Sequence, residues 1–244
     1  MTSSITDTVQ RKTARIAGLL YLAFAVISIV VFLPTPLSFS TLVVSGDAAA
    51  TANNIASSEG LVRANILGTL ISQIMFIFLV LILYRLFKEI DQVQALLMVI
   101  FVAIGVTATF VNTLNKMAAL TILGGDSFLS VFDRSQLDAL AYLFIRLHSQ
   151  SSQAIQIFWG LWLFPFGFLV YKSRFIPNLL GILLTVAGFA YLLSSSMSLV
   201  FPQYKAVISP LISFLEMGEL PIIFWLLIVG TKAQTLESSA PLSF

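Results

Sequence analysis

Two glutamates within an apolar stretch near the C-terminus are the residues best suited to chemistry. Glu216 and Glu219 are three positions apart, so on a helix their side chains share one face. An ionised carboxylate in apolar surroundings is stable only where it is paired, hydrogen-bonded or protonated. The two residues therefore point to a site for a proton, a cation or a polar ligand, or to buried ion pairs. Pro221 follows closely and removes one backbone donor, which predicts a kink beside Glu219.

Polar residues also recur at helical spacing further upstream. Arg146, Gln150 and Gln153 lie on one stripe, which we expect to face the protein interior, and His148 lies in the same turn. A histidine titrates near neutral pH, which suits proton chemistry, but a lone histidine is also commonly a structural hydrogen-bonding residue.

Another apolar stretch carries Asn112 and Lys116. Lys116 and Arg146 are cations that can pair with Glu216 and Glu219, and such pairs hold helices in register without any further function. The same residues can instead line a ligand-binding or ion-binding site, or couple to proton movement. The residues alone leave these three interpretations open.

The amino-acid composition indicates the class of protein in which these residues lie. Of 244 residues, 58% are hydrophobic and 10% are charged, whereas a soluble domain has roughly 45–50% and about 25%. This excludes an ordinary soluble domain and a disordered chain, and a net charge of +2 is too small for nucleic-acid binding. With no cysteine and one histidine, disulfides, thiol nucleophiles and multi-histidine metal sites are excluded. We therefore expect an all-α, polytopic integral membrane bundle whose partner is the lipid bilayer.

Six apolar stretches are long enough to cross a bilayer, which takes about 20 residues. The predicted spans of this single transmembrane domain, residues 1–244, are approximately 16–33, 65–87, 94–123, 150–171, 176–201 and 207–230. An external loop, 34–59, and an amphipathic segment, 127–147, complete the prediction. In the loop, Asp47 is suited to cap a short helix that contains Asn54.

The basic residues predict how the bundle is oriented. They lie before the first span, after the second, fourth and sixth spans, and therefore on one side: Arg11, Lys12, Arg15, Arg85, Lys88, Lys172, Arg174 and Lys232. Because cytoplasmic loops carry an excess of Lys and Arg, both termini are expected inside, in a multi-pass protein of a bacterial cytoplasmic membrane. In this orientation most of the polar residues fall in the outer half, which predicts an outward-facing polar pocket.

The sequence offers few signs of catalytic activity. The sequence contains no G-x-S-x-G, H-E-x-x-H or Walker motif, so we predict no catalytic residue, metal site or cofactor, and enzymatic activity stays open. A less favoured alternative is an intramembrane metal-dependent enzyme, with a divalent ion held by Glu216, Glu219 and His148.

Several short motifs are distributed along most of the chain. The most specific is Tyr171-x-Ser173-x-Phe175-Ile176-Pro177-x-x-Leu180-Gly181. The others are Ala14–Tyr21, Gly46-Asp47-Ala48, Thr51–Ile55, Leu83–Leu86, Leu147-His148, Gly188, Tyr191, Gly218-Glu219-Leu220, Trp225-Leu226 and Gly230. With these motifs the chain resembles a bacterial and archaeal family of membrane proteins, domain of unknown function 4386. The resemblance implies six spans and no assigned reaction, and it directs attention to Asp47, Asn54, His148 and Glu219.

The function that we predict is the binding or transport of a small polar or lipid-like ligand in the outward-facing pocket. The residues expected to line it are Glu216, Glu219, Arg146, His148, Gln150, Gln153, Asn112 and Lys116. The alternative is a structural or accessory membrane protein whose buried polar network only fixes helix packing.

Overall fold

Apolar helices make up most of the protein, as the composition predicts. The computed structural model describes residues 2–32, 35 and 38–231, without the side chains of residues 2–8, 205 and 206. This part of the chain holds nine α-helices and no β-strand. The helices are α1 (Thr2–Phe32), α2 (Ala48–Ser57), α3 (Glu59–Phe87), α4 (Gln92–Leu123), α5 (Arg134–Leu161), α6 (Leu163–Lys172), α7 (Asn178–Val200), α8 (Lys205–Glu216) and α9 (Leu220–Ile228).

Six helical stretches of the described residues are long and apolar enough to cross a membrane, which confirms the predicted six-span bundle. They are Val9–Phe32, Glu59–Phe87, Gln92–Leu123, Arg134–Lys172, Asn178–Val200 and Val207–Ile228. Successive spans run in opposite directions, so their connections alternate between two sides. We call the side with residues 88–91 and 173–177 the terminal side, since α1 begins and α9 ends there. The loop side carries residues 38–58, 124–133 and 201–206.

The bundle is built by neighbouring spans that pack in chain order, and α9 then closes against α1. Its main core is aromatic near mid-depth, where Trp162 lies 5.1 Å from Phe76 and 5.2 Å from Phe166 between ring centroids. Large apolar side chains such as Phe78 and Phe189 remain exposed on the outside. An apolar exterior is the surface that lipid tails require, in contrast to that of a soluble protein.

Two of the six spans are interrupted near their middle. In the fourth, α5 and α6 meet at Trp162, because Pro165 supplies no N–H to the carbonyl of Leu161. In the sixth, the 3-10 turn Met217–Glu219 separates α8 from α9, and Pro221 follows in the first turn of α9. The α-helix is therefore interrupted beside Glu219, at the position where the sequence predicts a kink.

A small folded cap covers the loop side. Asp47 caps α2, as predicted, since its Oδ1 accepts a 2.8 Å hydrogen bond from the Ala50 N–H. The Tyr142 hydroxyl of α5 accepts a 2.9 Å hydrogen bond from the Gly46 N–H. A second hydrophobic core, which we call the loop-side core, joins α2 to α3, α4 and α5 through Phe39, Ile55, Val62, Ala119, Ile122, Ala141 and Ile145. Residue 33, the predicted end of the first span, and residues 34, 36 and 37 of the predicted external loop lie outside the described residues.

The predicted amphipathic segment 127–147 is mostly continuous with the fourth span. A capping box between Asp133 and Gln136 starts α5 at Arg134, and Ala141 anchors that end in the loop-side core. The whole stretch has 39 residues, about 58 Å at 1.5 Å per residue, against a hydrocarbon core about 30 Å thick. The loop-side part of α5 therefore stands beyond the hydrocarbon region.

Candidate functional site

Glu219 lies at the centre of the bundle, where three spans meet. Its Oε1 accepts a 2.7 Å hydrogen bond from the Tyr191 hydroxyl of α7, and its Oε2 accepts a 2.9 Å hydrogen bond from the Tyr21 hydroxyl of α1. Tyr21 is buried, whereas Tyr191 and Glu219 are partly buried. We call these three residues the central cluster.

The central cluster is at mid-depth in the bilayer. Glu219 is 12 residues after Val207 and 9 before Ile228, or about 18 Å and about 14 Å along a helix. Tyr21 and Tyr191 are likewise near the middle of their own spans. Glu219 therefore lies deeper than the loop-side half in which the sequence predicts most of the polar residues.

The described side chains do not include the buried ion pairs that the sequence allows, those of Lys116 or Arg146 with Glu216 or Glu219. Among the side chains that the structure describes, no cation lies within ion-pair distance of Glu219. Arg146 is exposed, and Lys116 has a different partner, the Asn65 side chain. The two tyrosine hydroxyls take the place of a cation, because each donates to one carboxylate oxygen.

Glu216 and Gln153 lie beside the central cluster. Gln156 Nε2 donates to Glu216 Oε1 across 3.4 Å, which joins α5 to α8. The Ser195 hydroxyl donates a 2.6 Å hydrogen bond to the Gln153 carbonyl, which joins α7 to α5. These bonds fix the helices that position Tyr191 and Glu219.

Part of the predicted polar stripe faces outward. Arg146 and Gln150 are exposed, although the sequence predicts them to face the interior. The reason is that Ala141 and Ile145 pack in the loop-side core and turn a different face of α5 inward. Arg146 and Gln150 therefore do not join the other site residues.

A second polar group, which we call the loop-side cluster, surrounds Lys116. Lys116 is 3% exposed, its Nζ donates a 2.7 Å hydrogen bond to Asn65 Oδ1, and it lies 4.7 Å from the centroid of the Phe39 ring. Asn65 also donates to the Val31 carbonyl at 3.1 Å. Among the described side chains no carboxylate forms an ion pair with Lys116.

The other half of the loop-side cluster joins α4 to α5. Asn112 Nδ2 donates to the His148 carbonyl at 3.0 Å and to Ser152 Oγ at 2.9 Å. His148 Nδ1 lies 3.2 Å from the Asn112 carbonyl oxygen, so the neutral ring can donate to it. The Phe39 ring is 6.3 Å from the His148 ring and so links both halves.

The buried Lys116 gives a prediction about stability. Asn65→Leu should destabilise the protein by about 2–3 kcal/mol, because it leaves a buried ammonium group without its acceptor. Lys116→Met should cost only about 1 kcal/mol, since it removes the charge itself. Free energies of unfolding from detergent–SDS titrations, followed by circular dichroism, test this asymmetry. Equal losses for the two variants would contradict it.

The predicted residues thus do not converge on one pocket, because some lie in or beside the central cluster, others lie in the loop-side cluster, and Arg146 and Gln150 lie outside both. A groove of about 690 Å³ opens toward lipid between α4, α6 and α7. Its lining is mostly apolar, with Phe164, Phe168 and Phe189 among the residues, and it includes none of the predicted site residues.

The loop residues Asp47 and Asn54 have structural roles. Asp47 caps α2, and Asn54 Nδ2 donates a 3.1 Å hydrogen bond to the Leu42 carbonyl. Together they fold the loop back on the short helix. Neither residue reaches the two polar clusters through a described hydrogen bond.

The alternative metal site is not assembled. Across residues 2–32, 35 and 38–231, no group of three or more His, Asp and Glu side chains is arranged to hold a metal ion. Glu216 and Glu219 lie at the break in the sixth span, whereas His148 bonds to Asn112 in the loop-side cluster.

The sequence did not predict which side chains contact Glu219 and Lys116. Tyr21 and Tyr191 are part of the family motifs, but the motifs do not indicate that they donate hydrogen bonds to Glu219. The available signal is a phenol in the middle of an apolar span, because a buried hydroxyl needs a partner. Phe39 lies in the external loop, and nothing in its spacing indicates Lys116.

Comparisons with known proteins agree with this architecture. A family model described as domain of unknown function (DUF4386) matches residues 16–230, a range that reaches all six spans and includes both clusters. Over 157 residues the chain is 31% identical to an uncharacterized protein of Archaeoglobus fulgidus, an alignment that covers 64% of this chain and 78% of that protein. No solved structure matches the chain. This multi-pass membrane protein therefore belongs to the DUF4386 family.

Proposed function

We propose that this protein binds a small polar or lipid-like ligand at the central cluster, where Glu219 accepts a positive charge or a proton from it. The observation that carries the proposal is the Glu219 carboxylate at mid-depth, held by Tyr21 and Tyr191 with no described cation in ion-pair distance. Ionisable groups inside a membrane are costly and are commonly retained for binding or proton transfer.

The local backbone supports the same proposal. Glu219 ends the 3-10 turn that interrupts the sixth span, and Trp162 marks the interruption of the fourth span. The rings of Trp162 and Tyr21 are 6.0 Å apart, so both interruptions adjoin the central cluster. Many transporters bind their substrates at broken helices near the bilayer midplane. The interruption leaves helix ends and backbone polar groups that can contact the substrate.

The second candidate is a structural or accessory membrane protein. Both Glu219 oxygens already accept a tyrosine hydrogen bond, so the central cluster is satisfied without a ligand. In the loop-side cluster, Asn65 and Asn112 likewise bond to backbone carbonyls of neighbouring helices. A network of this kind can serve only to fix helix packing.

Native mass spectrometry of the purified protein distinguishes the two candidates. We expect the wild-type protein to retain a bound small molecule that Glu219→Gln loses, because glutamine keeps the size and an acceptor oxygen but carries no charge and cannot take up the proton. Glu59→Gln is the matched control, since Glu59 is exposed and pairs with Arg63 at 2.7 Å on the surface of α3. That control should retain the molecule.

Two outcomes of this measurement would contradict ligand binding at the central cluster. A wild-type protein without a bound mass, beside a Glu219→Gln variant that only unfolds at a lower temperature, would favour the structural role. A bound mass that all three proteins retain would place the ligand elsewhere.

We further propose that the terminal side faces the cytoplasm of a bacterial cell. Basic residues of this side support the orientation: Arg11, Lys12, Arg15, Arg85, Lys88, Lys172 and Arg174. Lys232, which contributes to the same pattern, lies outside the described residues. In this orientation the loop-side cap is external, and a ligand from outside would meet the loop-side cluster before the central cluster.

A further inference from the structure

A basic groove lies at the terminal end of α1, apart from both polar clusters. It has a volume of about 520 Å³ and is lined by Arg11, Lys12, Arg15, Ile16, Leu19 and Leu227. All three basic residues are exposed. Among the side chains that the structure describes, no carboxylate forms an ion pair with any of them, and the charged residues that line the groove are all basic.

The end of α9 holds the two arginines in place. Arg11 Nε donates a 3.2 Å hydrogen bond to the Val229 carbonyl, and an Arg15 Nη donates a 2.9 Å bond to the Ile228 carbonyl. These are carbonyls at a helix C-terminus, which lack partners within the helix. A guanidinium group has five N–H donors, so each arginine keeps donors for a further acceptor. Lys12 makes no described hydrogen bond to the protein and its ammonium group is exposed.

Apolar residues continue the groove toward the membrane centre. Ile16 and Leu19 follow Lys12 at helical spacing and are 43% and 59% exposed. Lys12 and Leu19 are about 10 Å apart along the helix at 1.5 Å per residue. The groove thus offers cations at one end and an apolar wall at the other, with the Leu227 side chain closing it from α9.

We propose that this groove binds an anionic phospholipid, with its phosphate between Lys12 and the two arginines and an acyl chain along Ile16 and Leu19. A phosphate diester is the complementary charge, because arginine and lysine donors bind its oxygens in charge-assisted hydrogen bonds. Basic groups at the membrane surface attract anionic lipids in the same way. The site is separate from Glu219 and does not depend on the ligand proposed there.

Lys12→Gln is the variant that tests the proposal with least effect on the fold, because the described hydrogen bonds between α1 and the end of α9 come from Arg11 and Arg15. The probes are phosphatidylglycerol and phosphatidylcholine of identical acyl chains, added to the detergent-purified protein and counted by native mass spectrometry. We expect the wild-type protein to retain phosphatidylglycerol preferentially. Lys12→Gln should weaken this retention about five-fold, which corresponds to about 1 kcal/mol per basic residue.

Arg85→Gln is the matched control, since it removes one exposed positive charge from the last turn of α3 on the same side but outside the groove. It should leave retention unchanged. Glycerol 3-phosphate, which has the phosphate but no acyl chains, should not displace the lipid.

Three results would overturn the proposal. Equal retention of both lipids would show that charge does not select the occupant. Equal weakening by Lys12→Gln and Arg85→Gln would reduce the groove to a general surface charge. Retention that appears only after removal of residues 233–244 would assign the groove to the chain's own C-terminal segment.

Discussion

Gly18→Ala is expected to destabilise the protein by about 3 kcal/mol, the upper part of the usual range for overpacking. At Gly18, α1 crosses α9 so closely that a Cβ atom would lie 2.7 Å from the Leu226 carbonyl carbon and nearer still to the Leu227 nitrogen. These are backbone atoms, which cannot rotate away, so the two helices must separate. Tyr21 is one turn further along α1, and its bond to Glu219 should weaken as well.

Gly60→Ala is the matched control for this prediction. Gly60 lies in the first turn of α3, and a Cβ atom there would have no neighbour within 4 Å. Alanine has a higher helix propensity than glycine by up to about 1 kcal/mol, so this variant should be neutral or slightly more stable. Free energies of unfolding in SDS titrations measure both variants. Equal stability of the two would mean that the contact between α1 and α9 is not as close as described.

Glu219→Leu is expected to destabilise the protein by about 3 kcal/mol. The change removes the acceptor of two hydrogen bonds and leaves the Tyr21 and Tyr191 hydroxyls without a partner in a largely apolar region. A buried polar group without a partner costs about 1–3 kcal/mol. Glu219→Gln should cost less, because glutamine keeps an oxygen that can accept from one tyrosine.

The triple variant Tyr21→Phe, Tyr191→Phe, Glu219→Leu tests the cause of that loss. With every polar group of the central cluster replaced, no donor is left unpaired, and most of the lost stability should return. The same unfolding assay compares the single and triple variants. A triple variant as unstable as Glu219→Leu would show that volume and packing, and not the orphaned hydroxyls, cause the destabilisation.

Some features of the fold could be predicted because they depend on neighbouring residues. A span follows from the length of an apolar stretch, the cap of α2 from Asp47 and the break in the sixth span from Pro221. Each of these is local chemistry, which the chain specifies within a few residues.

The contacts of the site could not be predicted in the same way. The partners of Glu219 are Tyr21, 198 positions away, and Tyr191, 28 positions away. Which faces of the helices pack against each other depends on side-chain packing across the whole bundle. The exposed position of Arg146 illustrates this, since the loop-side core turned its stripe outward.

The aromatic surroundings of the central cluster have an optical consequence. The chain contains three tryptophans, and Trp162 lies 6.0 Å from the Tyr21 ring while Trp159 lies 5.4 Å from Phe76. The third, Trp225, is about 9 Å beyond Glu219 along the helix axis. The tryptophan fluorescence of the unlabelled protein therefore originates around Glu219. A change of charge or hydration there would alter its emission maximum and intensity.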